Sequence, residues 1–328
     1  MPENHRLNSS LTDLAVEARD MAVERTGGEI SGVSVEEEDK EVAMVTRIEV
    51  LNELGSKKIS KPQGNYITIE ADGLRQTNPQ LHQDLSGVLA AELNNLIDYP
   101  ALTNNPNQMP VILVIGLGNW NATPDALGPE VVHHLLVTRH IYDTAAPESR
   151  RGIRSVCALA PGVLGLTGIE TAEIIKGVVD RVKPDLIIAI DALAARESKR
   201  LASTLQISDT GIYPGSGVGK RRIGITEKDM GVPVIAMGMP TVINSVEIVN
   251  DTIETISHKN NINLDLSQKK QTQKQVIESV LQPFLGDMIV APKGIDKLIR
   301  DTSRVIAGGI NIALHPDVKT ENVSLYLQ

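Results

Sequence analysis

Short apolar runs alternate with one-sided helical patterns through the larger, C-terminal part of the chain. Four continuous Val- and Ile-rich runs are typical of strands buried on both faces of a parallel sheet: residues 111–116, 155–160, 186–190 and 234–237. Helical spacing is clearest at residues 169–182 and 294–314, where Gly308 and Gly309 suggest close packing. The pattern predicts an α/β fold with a doubly wound, mainly parallel sheet flanked by helices.

The first hundred residues follow a different pattern. Short β-favouring pieces at residues 30–35, 42–50 and 66–70 are separated by charged residues and glycine, which predicts a small antiparallel element. Residues 83–98 then place leucine, valine and isoleucine at helical spacing. A turn-rich break at residues 104–107 precedes the parallel-sheet pattern. We therefore expect a smaller β-containing N-terminal region ahead of the α/β part.

Composition and charge narrow the class of protein. With 328 residues, 41% of them apolar, the chain can bury a real core. Its 41 acidic against 32 basic residues give a net charge of -9, and one Trp and one Phe leave little material for base stacking. The longest apolar runs are far shorter than the roughly 20 residues that cross a bilayer. We expect neither a nucleic-acid nor a membrane partner, and the single Cys157 suits the cytoplasm.

Segments of the chain resemble cofactor and metal motifs, but each lacks residues that the motif requires. Gly116-Leu-Gly118 begins like a dinucleotide fingerprint, but Asn121 stands where the third glycine belongs. Gly217-Val-Gly219-Lys220 lacks the first glycine and the final Ser or Thr of a phosphate loop. The seven histidines include no His-Glu-x-x-His. The sequence therefore predicts no cofactor and no metal.

Two aspartates follow predicted parallel strands. Asp125 comes shortly after the run at 111–116, and Asp191 directly follows the run at 186–190. Ligands of open α/β sheets bind at the carboxyl ends of the strands. Two carboxylates confined there share one proton, so one can activate water while the other protonates an amide nitrogen. The alternative is that each aspartate caps the helix that follows it.

Several ordered motifs resemble the bacterial spore germination protease family. They are Thr123-Pro-Asp-Ala-Leu-Gly-Pro129, Pro161-Gly-Val163, Thr167-Gly-Ile-Glu170, Asp191-Ala-Leu-Ala-Ala-Arg196, Gln206-Ile-Ser-Asp209 and Pro214-Gly-Ser-Gly-Val-Gly219. The resemblance implies an atypical aspartic endopeptidase in the spore core, made as a homotetrameric zymogen, with Asp125 and Asp191 as the catalytic pair. It also implies that small acid-soluble, DNA-protecting spore proteins are the substrates.

The resemblance extends to the N-terminus. Thr12-Asp-Leu-Ala-Val-Glu-Ala18 looks like the family's self-cleavage segment, with the cut between Asp13 and Leu14. The alternative is an ordinary helix cap at Asp13. The predicted organisation is a propeptide at 1–13, an N-terminal helix and small β region at 14–100, and a catalytic α/β domain at 101–328. The last two can pack as one globular unit.

If an acidic residue precedes the cut, we expect a cation in the pocket to bind its carboxylate. Candidates are Arg196 and the cluster Lys220-Arg221-Arg222, because arginine binds carboxylates in a bidentate way. The preceding loop, with Gly215 and Gly217, would let a substrate backbone approach closely. The alternative for residues 220–222 is a solvated basic loop.

Two rival functions stay open. Gly116-Leu-Gly-Asn119 with Asp125 and Gly128 also resembles hydrogenase-maturation endopeptidases, which implies a nickel-dependent maturation enzyme. A non-catalytic α/β binding module, with both aspartates as helix caps, is the rival of another class.

Overall fold

One mixed sheet forms the centre of the molecule. The computed structural model describes residues 12–103, 109–144, 146, 150, 152–213, 224–259 and 288–327. In these ranges the strands are β1 (Val33–Lys40), β2 (Ala43–Val50), β3 (Gly64–Glu70), β4 (Val111–Gly116), β5 (Ser155–Leu159), β6 (Leu186–Ala195), β7 (Thr204–Ser208), β8 (Val234–Asn244) and β9 (Ile289–Val290).

The strand order is β1-β2-β3-β7-β8-β6-β4-β5, with β9 paired to the end of β8. Strands β5, β4, β6 and β8 are parallel neighbours and correspond to the four apolar runs. Strands β1, β2, β3 and β7 extend the sheet in antiparallel pairs. The predicted fold class is confirmed, and the N-terminal strands join the same sheet through the β3–β7 pair.

Helices cover the sheet. Those in the described ranges are α1 (Ala15–Thr26), α2 (Glu53–Ile59), α3 (Pro79–Leu96), α4 (Leu127–His133), α5 (Arg139–Thr144), α6 (Leu164–Thr167), α7 (Thr171–Val182), α8 (Glu227–Met230), α9 (Ser245–Lys259) and α10 (Ile295–Leu314). None of the helices in this part of the chain is long and apolar enough to cross a membrane.

Separate apolar clusters lie on the faces of the sheet. Helices α3, α4 and α10 share the largest cluster with the central strands. Helix α7 packs with the alternate residues of β4 and β6, so the parallel strands are covered on both faces. Helix α1 forms a third cluster with β2 and β3. Aliphatic burial of this kind is the main stabilising contribution to the fold.

Helix α10 packs closely against α3 at its two central glycines. A Cβ atom at Gly308 would lie 2.8 Å from Oγ of Ser86, and one at Gly309 would lie 2.6 Å from Cδ2 of Leu89. The suggestion of close packing at these glycines is therefore confirmed.

One predicted boundary is wrong in a way that affects the site. The strand expected to end at Ile190 continues to Ala195, because residues 191–195 keep pairing with β8. Asp191 is opposite Gly238 and lies within β6 rather than after it. The predicted break at 104–107 lies outside the described residues.

Candidate active site

Asp125 and Asp191 line one pocket of about 840 Å³. Their strands, β4 and β6, are parallel neighbours in which Gly116 is paired with Ile190. Asp191 is therefore the next residue of β6 at the level where β4 ends. Asp125 ends a short 3₁₀ turn, Thr123–Asp125, in the loop that follows β4. The sheet register thus brings together two carboxyl groups that are far apart in sequence.

Glycines let the Asp125 loop fold back onto the strand ends. Gly118 has φ of +117°, and a Cβ atom there would lie 1.9 Å from the carbonyl oxygen of Asp125. That conformation and that space both require glycine. At Gly128 a Cβ atom would lie 2.3 Å from the carbonyl oxygen of Leu117. Gly118, which resembled part of a nucleotide motif, here positions a carboxyl group.

The carboxyl groups of this pocket resist ionisation. Burial, and then the charges of Asp125 and Asp13, raise the pKa of Asp191 to about 8, against an opposing hydrogen bond from the Ala192 N–H (2.9 Å). Burial also raises the pKa of Asp125, opposed by a hydrogen bond from the Asn119 backbone. At neutral pH the pair therefore retains a proton, because burial opposes the ionisation of both groups.

The helix-cap alternatives for the two aspartates are wrong. Helix α4 begins at Leu127 after Ala126, and no side chain caps it. Asp191 lies inside a strand that continues for four more residues. Neither carboxyl group is used by a helix end, so each needs another explanation.

The N-terminal segment enters the same pocket. Asp13 lines it, and Oδ2 of Asp13 accepts a hydrogen bond from the Ala194 N–H (2.9 Å). That N–H lies at the β6 bulge between Leu193 and Ala194, where the register with β8 shifts. The neighbouring Leu14 is fully buried. The residue before the bond predicted for self-cleavage therefore lines the same pocket as the paired aspartates.

Two side chains bind the carbonyl oxygen of Asp13. Nζ of Lys61 donates to it at 2.8 Å and also to the Thr12 carbonyl at 2.9 Å. Nε2 of Gln206 donates to the Asp13 carbonyl at 3.0 Å. Oε1 of Gln206 accepts from the Ala15 N–H. The peptide is thus held on both sides of the Asp13–Leu14 bond.

The helix-cap alternative for Asp13 is also wrong, because α1 begins at Ala15 after Leu14 and has no side-chain cap. Its first turn is instead anchored by Glu17, whose carboxylate accepts from the N–H groups of Arg196 and Glu197 at 2.9 to 3.2 Å. Thr12 also donates to Glu17.

The guanidinium group of Arg196 lies near Glu247 and not near Asp13. Its Nε is 3.8 Å from Oε2 of Glu247. The other predicted substrate contacts, Gly215, Gly217, Arg221 and Arg222, lie outside the described residues. All five stay predictions.

Sequence reasoning missed Lys61, Gln206 and the Ala194 N–H. Gln206 begins the family-like motif Gln206-Ile-Ser-Asp209 and alternates with Leu205 and Ile207 in β7, but neither signal indicates contact with the Asp13 carbonyl. Lys61 is one lysine among several in its region, and a backbone N–H freed by a bulge has no side-chain signature. Only the tertiary structure brings these donors to one carbonyl and one carboxylate.

The nickel alternative needs a set of metal ligands. In the ranges that the structure covers, no three or more His, Cys, Asp and Glu side chains are grouped to hold a metal ion. This arrangement gives the nickel alternative no support.

The chain matches the family model described as Germination protease (Peptidase_A25) over residues 13–263 and 257–327. A germination protease of Caldanaerobacter subterraneus subsp. tengcongensis is 49% identical over 96% of this chain and 97% of its own. Those of Clostridium tetani and Bacillus thuringiensis subsp. konkukian are 44% and 38% identical, each over 96% of this chain and over 98% and 96% of their own.

Among solved structures, the [NiFe] hydrogenase maturation protease HycI from Thermococcus kodakarensis KOD1 is 20% identical and covers 41% of this chain and 76% of its own. Its TM-score of 0.26 is too low to support an argument.

These matches define a protease. The chain belongs to the germination protease family, and the resemblance seen in its motifs is confirmed.

Proposed function

We propose that this protein is an endopeptidase that degrades small acid-soluble, DNA-protecting spore proteins during germination, and that it is made as a self-processing zymogen. One observation carries the proposal most directly. The chain's own Asp13, with its predicted scissile bond to Leu14, lies in the pocket lined by Asp125 and Asp191. A bond placed beside two carboxyl groups that share a proton is in position for hydrolysis.

The mechanism follows from that shared proton. The ionised carboxylate of the pair, assigned to Asp125, removes a proton from water, and the water oxygen bonds to the Asp13 carbonyl carbon. The carbon–nitrogen bond then breaks, and the protonated carboxyl of Asp191 donates its proton to the nitrogen of Leu14. The products are an Asp13 carboxyl group and a Leu14 amine, while the pair keeps one proton for the next cycle. The step involves no covalent intermediate.

The docked segment, residues 12–17, also explains why the protein would be made as an inactive zymogen. Thr12 and Asp13 occupy part of the pocket that an external substrate would need. Cleavage between Asp13 and Leu14 would release residues 1–13 and free that space. The family resemblance further supports a homotetramer in the spore core that uses no cofactor or metal.

The same contacts suggest how acidic residues are read before the cut. The Ala194 N–H binds the Asp13 carboxylate, and the Lys61 ammonium binds the adjoining carbonyl groups. A substrate with Asp or Glu at this position would present its carboxylate to the same backbone donor.

Mass spectrometry of a small acid-soluble spore protein incubated with the enzyme tests the proposal. Wild type should cut after acidic residues, and both Asp125→Asn and Asp191→Asn should abolish the cut. Asp180→Asn, an exposed α7 aspartate that pairs with Lys176, is the matched control and should cut normally. Cleavage that survives in either active-site variant would remove that aspartate from the mechanism. A wild type that cuts neither the substrate nor its own Asp13–Leu14 bond would instead point to an uncleaved zymogen or to the binding-module alternative.

A further inference from the structure

Lys61 and Gln206 approach the Asp13 carbonyl oxygen from different elements. Lys61 follows helix α2, where Ser60 ends the helix with a left-handed φ of 56°. Gln206 is the central residue of β7. Their donors lie 2.8 and 3.0 Å from the same oxygen. Two donors on one carbonyl oxygen form the arrangement that stabilises the negative oxygen of a tetrahedral intermediate.

The sheet register places Gln206 on the face of Asp191. Gln206 is opposite Gly238 on β8, and Gly238 is opposite Asp191 on β6. Residues directly opposite each other on neighbouring strands point to the same face of a sheet. Gly238 between them has no side chain, and the Leu193 side chain packs over it, since a Cβ atom there would lie 2.7 Å from Cγ of Leu193. The amide donor and the carboxyl acid therefore face one pocket.

The orientation of the Gln206 amide is fixed by its second contact. An N–H group donates, so the Ala15 N–H must meet the amide oxygen of Gln206. The amide nitrogen is then directed at the Asp13 carbonyl. One side chain thus binds the peptide before and after the Asp13–Leu14 bond.

Lys61 brings a positive charge to this oxygen. Its Nζ contacts the Thr12 and Asp13 carbonyl oxygens, and the charges of Asp13 and Glu17 act on it from the docked segment. Burial lowers the pKa of Lys61, which shows that its ammonium group is partly shielded from water. A cation shielded from water stabilises a developing negative charge more strongly than an exposed one.

We propose that Lys61 and Gln206 form the oxyanion-binding site of this protease, donating hydrogen bonds to the carbonyl oxygen of the residue before the cut. Both residues are catalytic, because they touch the oxygen on which charge develops. The inference rests on the proposed function and extends it, since the aspartate pair moves protons and these two groups hold the charge. The carbonyl carbon is thereby activated towards water without covalent catalysis.

The test measures the first-order rate at which the full chain loses residues 1–13, by intact mass. Lys61→Met should slow this cut about 100- to 1,000-fold, the usual cost of losing one oxyanion donor. Gln206→Glu is the sharper variant, because its carboxylate still accepts from Ala15 but cannot donate to Asp13. Its rate should fall by at least as much, and its rate relative to wild type at the same pH should partly recover as pH falls and the new carboxyl group becomes a donor. Lys57→Met, at an exposed lysine on α2, should leave the rate unchanged.

Amide hydrogen exchange at residues 14–22 separates catalysis from simple anchoring. The proposal predicts that the two slow variants keep the wild-type protection of α1. Slow cleavage with an equal loss of protection would reduce Lys61 and Gln206 to anchors of the segment and overturn the proposal. So would rates within twofold of wild type in both variants, while wild type itself still cuts. A wild type that never cuts at Asp13–Leu14 would overturn the proposed function, and this inference with it.

Discussion

At the scale of single residues, the site depends on burial, which raises the pKa values of Asp125 and Asp191. The pKa of Asp191 is raised to about 8, because burial and the neighbouring charges of Asp125 and Asp13 all raise it. A carboxyl group that stays protonated near neutral pH can donate a proton to a leaving amine. Two measurable consequences follow, one for rate and one for stability.

The rate of self-cleavage should fall as pH rises through about 8, where Asp191 loses its proton and the pair no longer holds an acid. Above that pH the rate of self-cleavage should fall by close to tenfold for each pH unit. In acid the rate should fall again as Asp125, whose pKa is also raised, loses its charge. The measurement is the initial rate between pH 4 and 10. Lys61→Arg is the control for lysine titration, because arginine stays charged over this range. A rate still rising between pH 8 and 10 in both proteins would contradict the account.

Asp191→Asn should stabilise the fold at neutral and alkaline pH. The pKa of Asp191 is about 8 when folded and 3.8 in the reference state, so the stability that its protonated form provides is lost as pH rises towards 8. An uncharged asparagine avoids this loss, with a gain on the order of a few kcal/mol near pH 8 that vanishes near pH 4. Thermal unfolding at pH 4.5 and pH 8 measures the difference, with Asp180→Asn as the exposed control. An asparagine variant no more stable than wild type at pH 8 would contradict this assignment.

At the scale of elements, strand register and helix packing position these residues. The four-strand succession β4, β6, β8 and β7 brings Asp191 and Gln206 to one face, and the β6 bulge turns the Ala194 N–H towards Asp13. Behind the sheet, α3 and α10 meet at Gly308 and Gly309 and support the central strands. A change at this helix contact should therefore affect the strands that carry the site.

Gly309→Ala should destabilise the protein by about 1–3 kcal/mol, although alanine favours helices. Its Cβ atom would lie within 2.9 Å of three atoms of Leu89, including Leu89 Cβ, so moving a flexible tip would not relieve the clash. Gly177→Ala in the exposed part of α7 is the matched control, because nothing lies within 4 Å of that position. It should stabilise by up to about 1 kcal/mol. Urea unfolding measures both, and equal shifts would refute the packing explanation.

An element can be predicted from the sequence when the interactions that form it lie close together along the chain. The four buried strands and the amphipathic helices were predictable because apolar spacing reports burial directly. The end of β6 was not, because residues 191–195 are held as a strand by pairing with β8. The catalytic candidates Asp125 and Asp191 could be found from their places near strand ends and from the family motifs. Lys61 and Ala194 could not, since their roles come from contacts with a segment about 50 and 180 residues away.

At the scale of the whole molecule, the chain holds its own N-terminal segment in the pocket that Asp125 and Asp191 line. Leu14 is buried, Asp13 is bound at both its carboxylate and its carbonyl, and Glu17 is anchored on the two residues that follow β6. All of these contacts are made within one chain. Self-cleavage should therefore be intramolecular.

A mixing experiment tests this directly. Active wild type is incubated with a mass-tagged Asp191→Asn chain, whose own site is inactive. The wild type should cut itself at a first-order rate that does not change over a hundredfold range of protein concentration, and the tagged chain should stay whole. Cutting of the tagged chain at the rate of the wild type would show that the segment is processed by other copies.

We expect Asp125 and Asp191 together to hydrolyse the bond after Asp13. The most direct measurement is the intact mass and N-terminal sequence of the purified chain over time, for wild type, Asp125→Asn and Asp191→Asn. The account predicts a new N-terminus at Leu14 in wild type and uncut chains in both variants, each still folded by circular dichroism. A Leu14 N-terminus that forms at the wild-type rate in either variant would contradict the account.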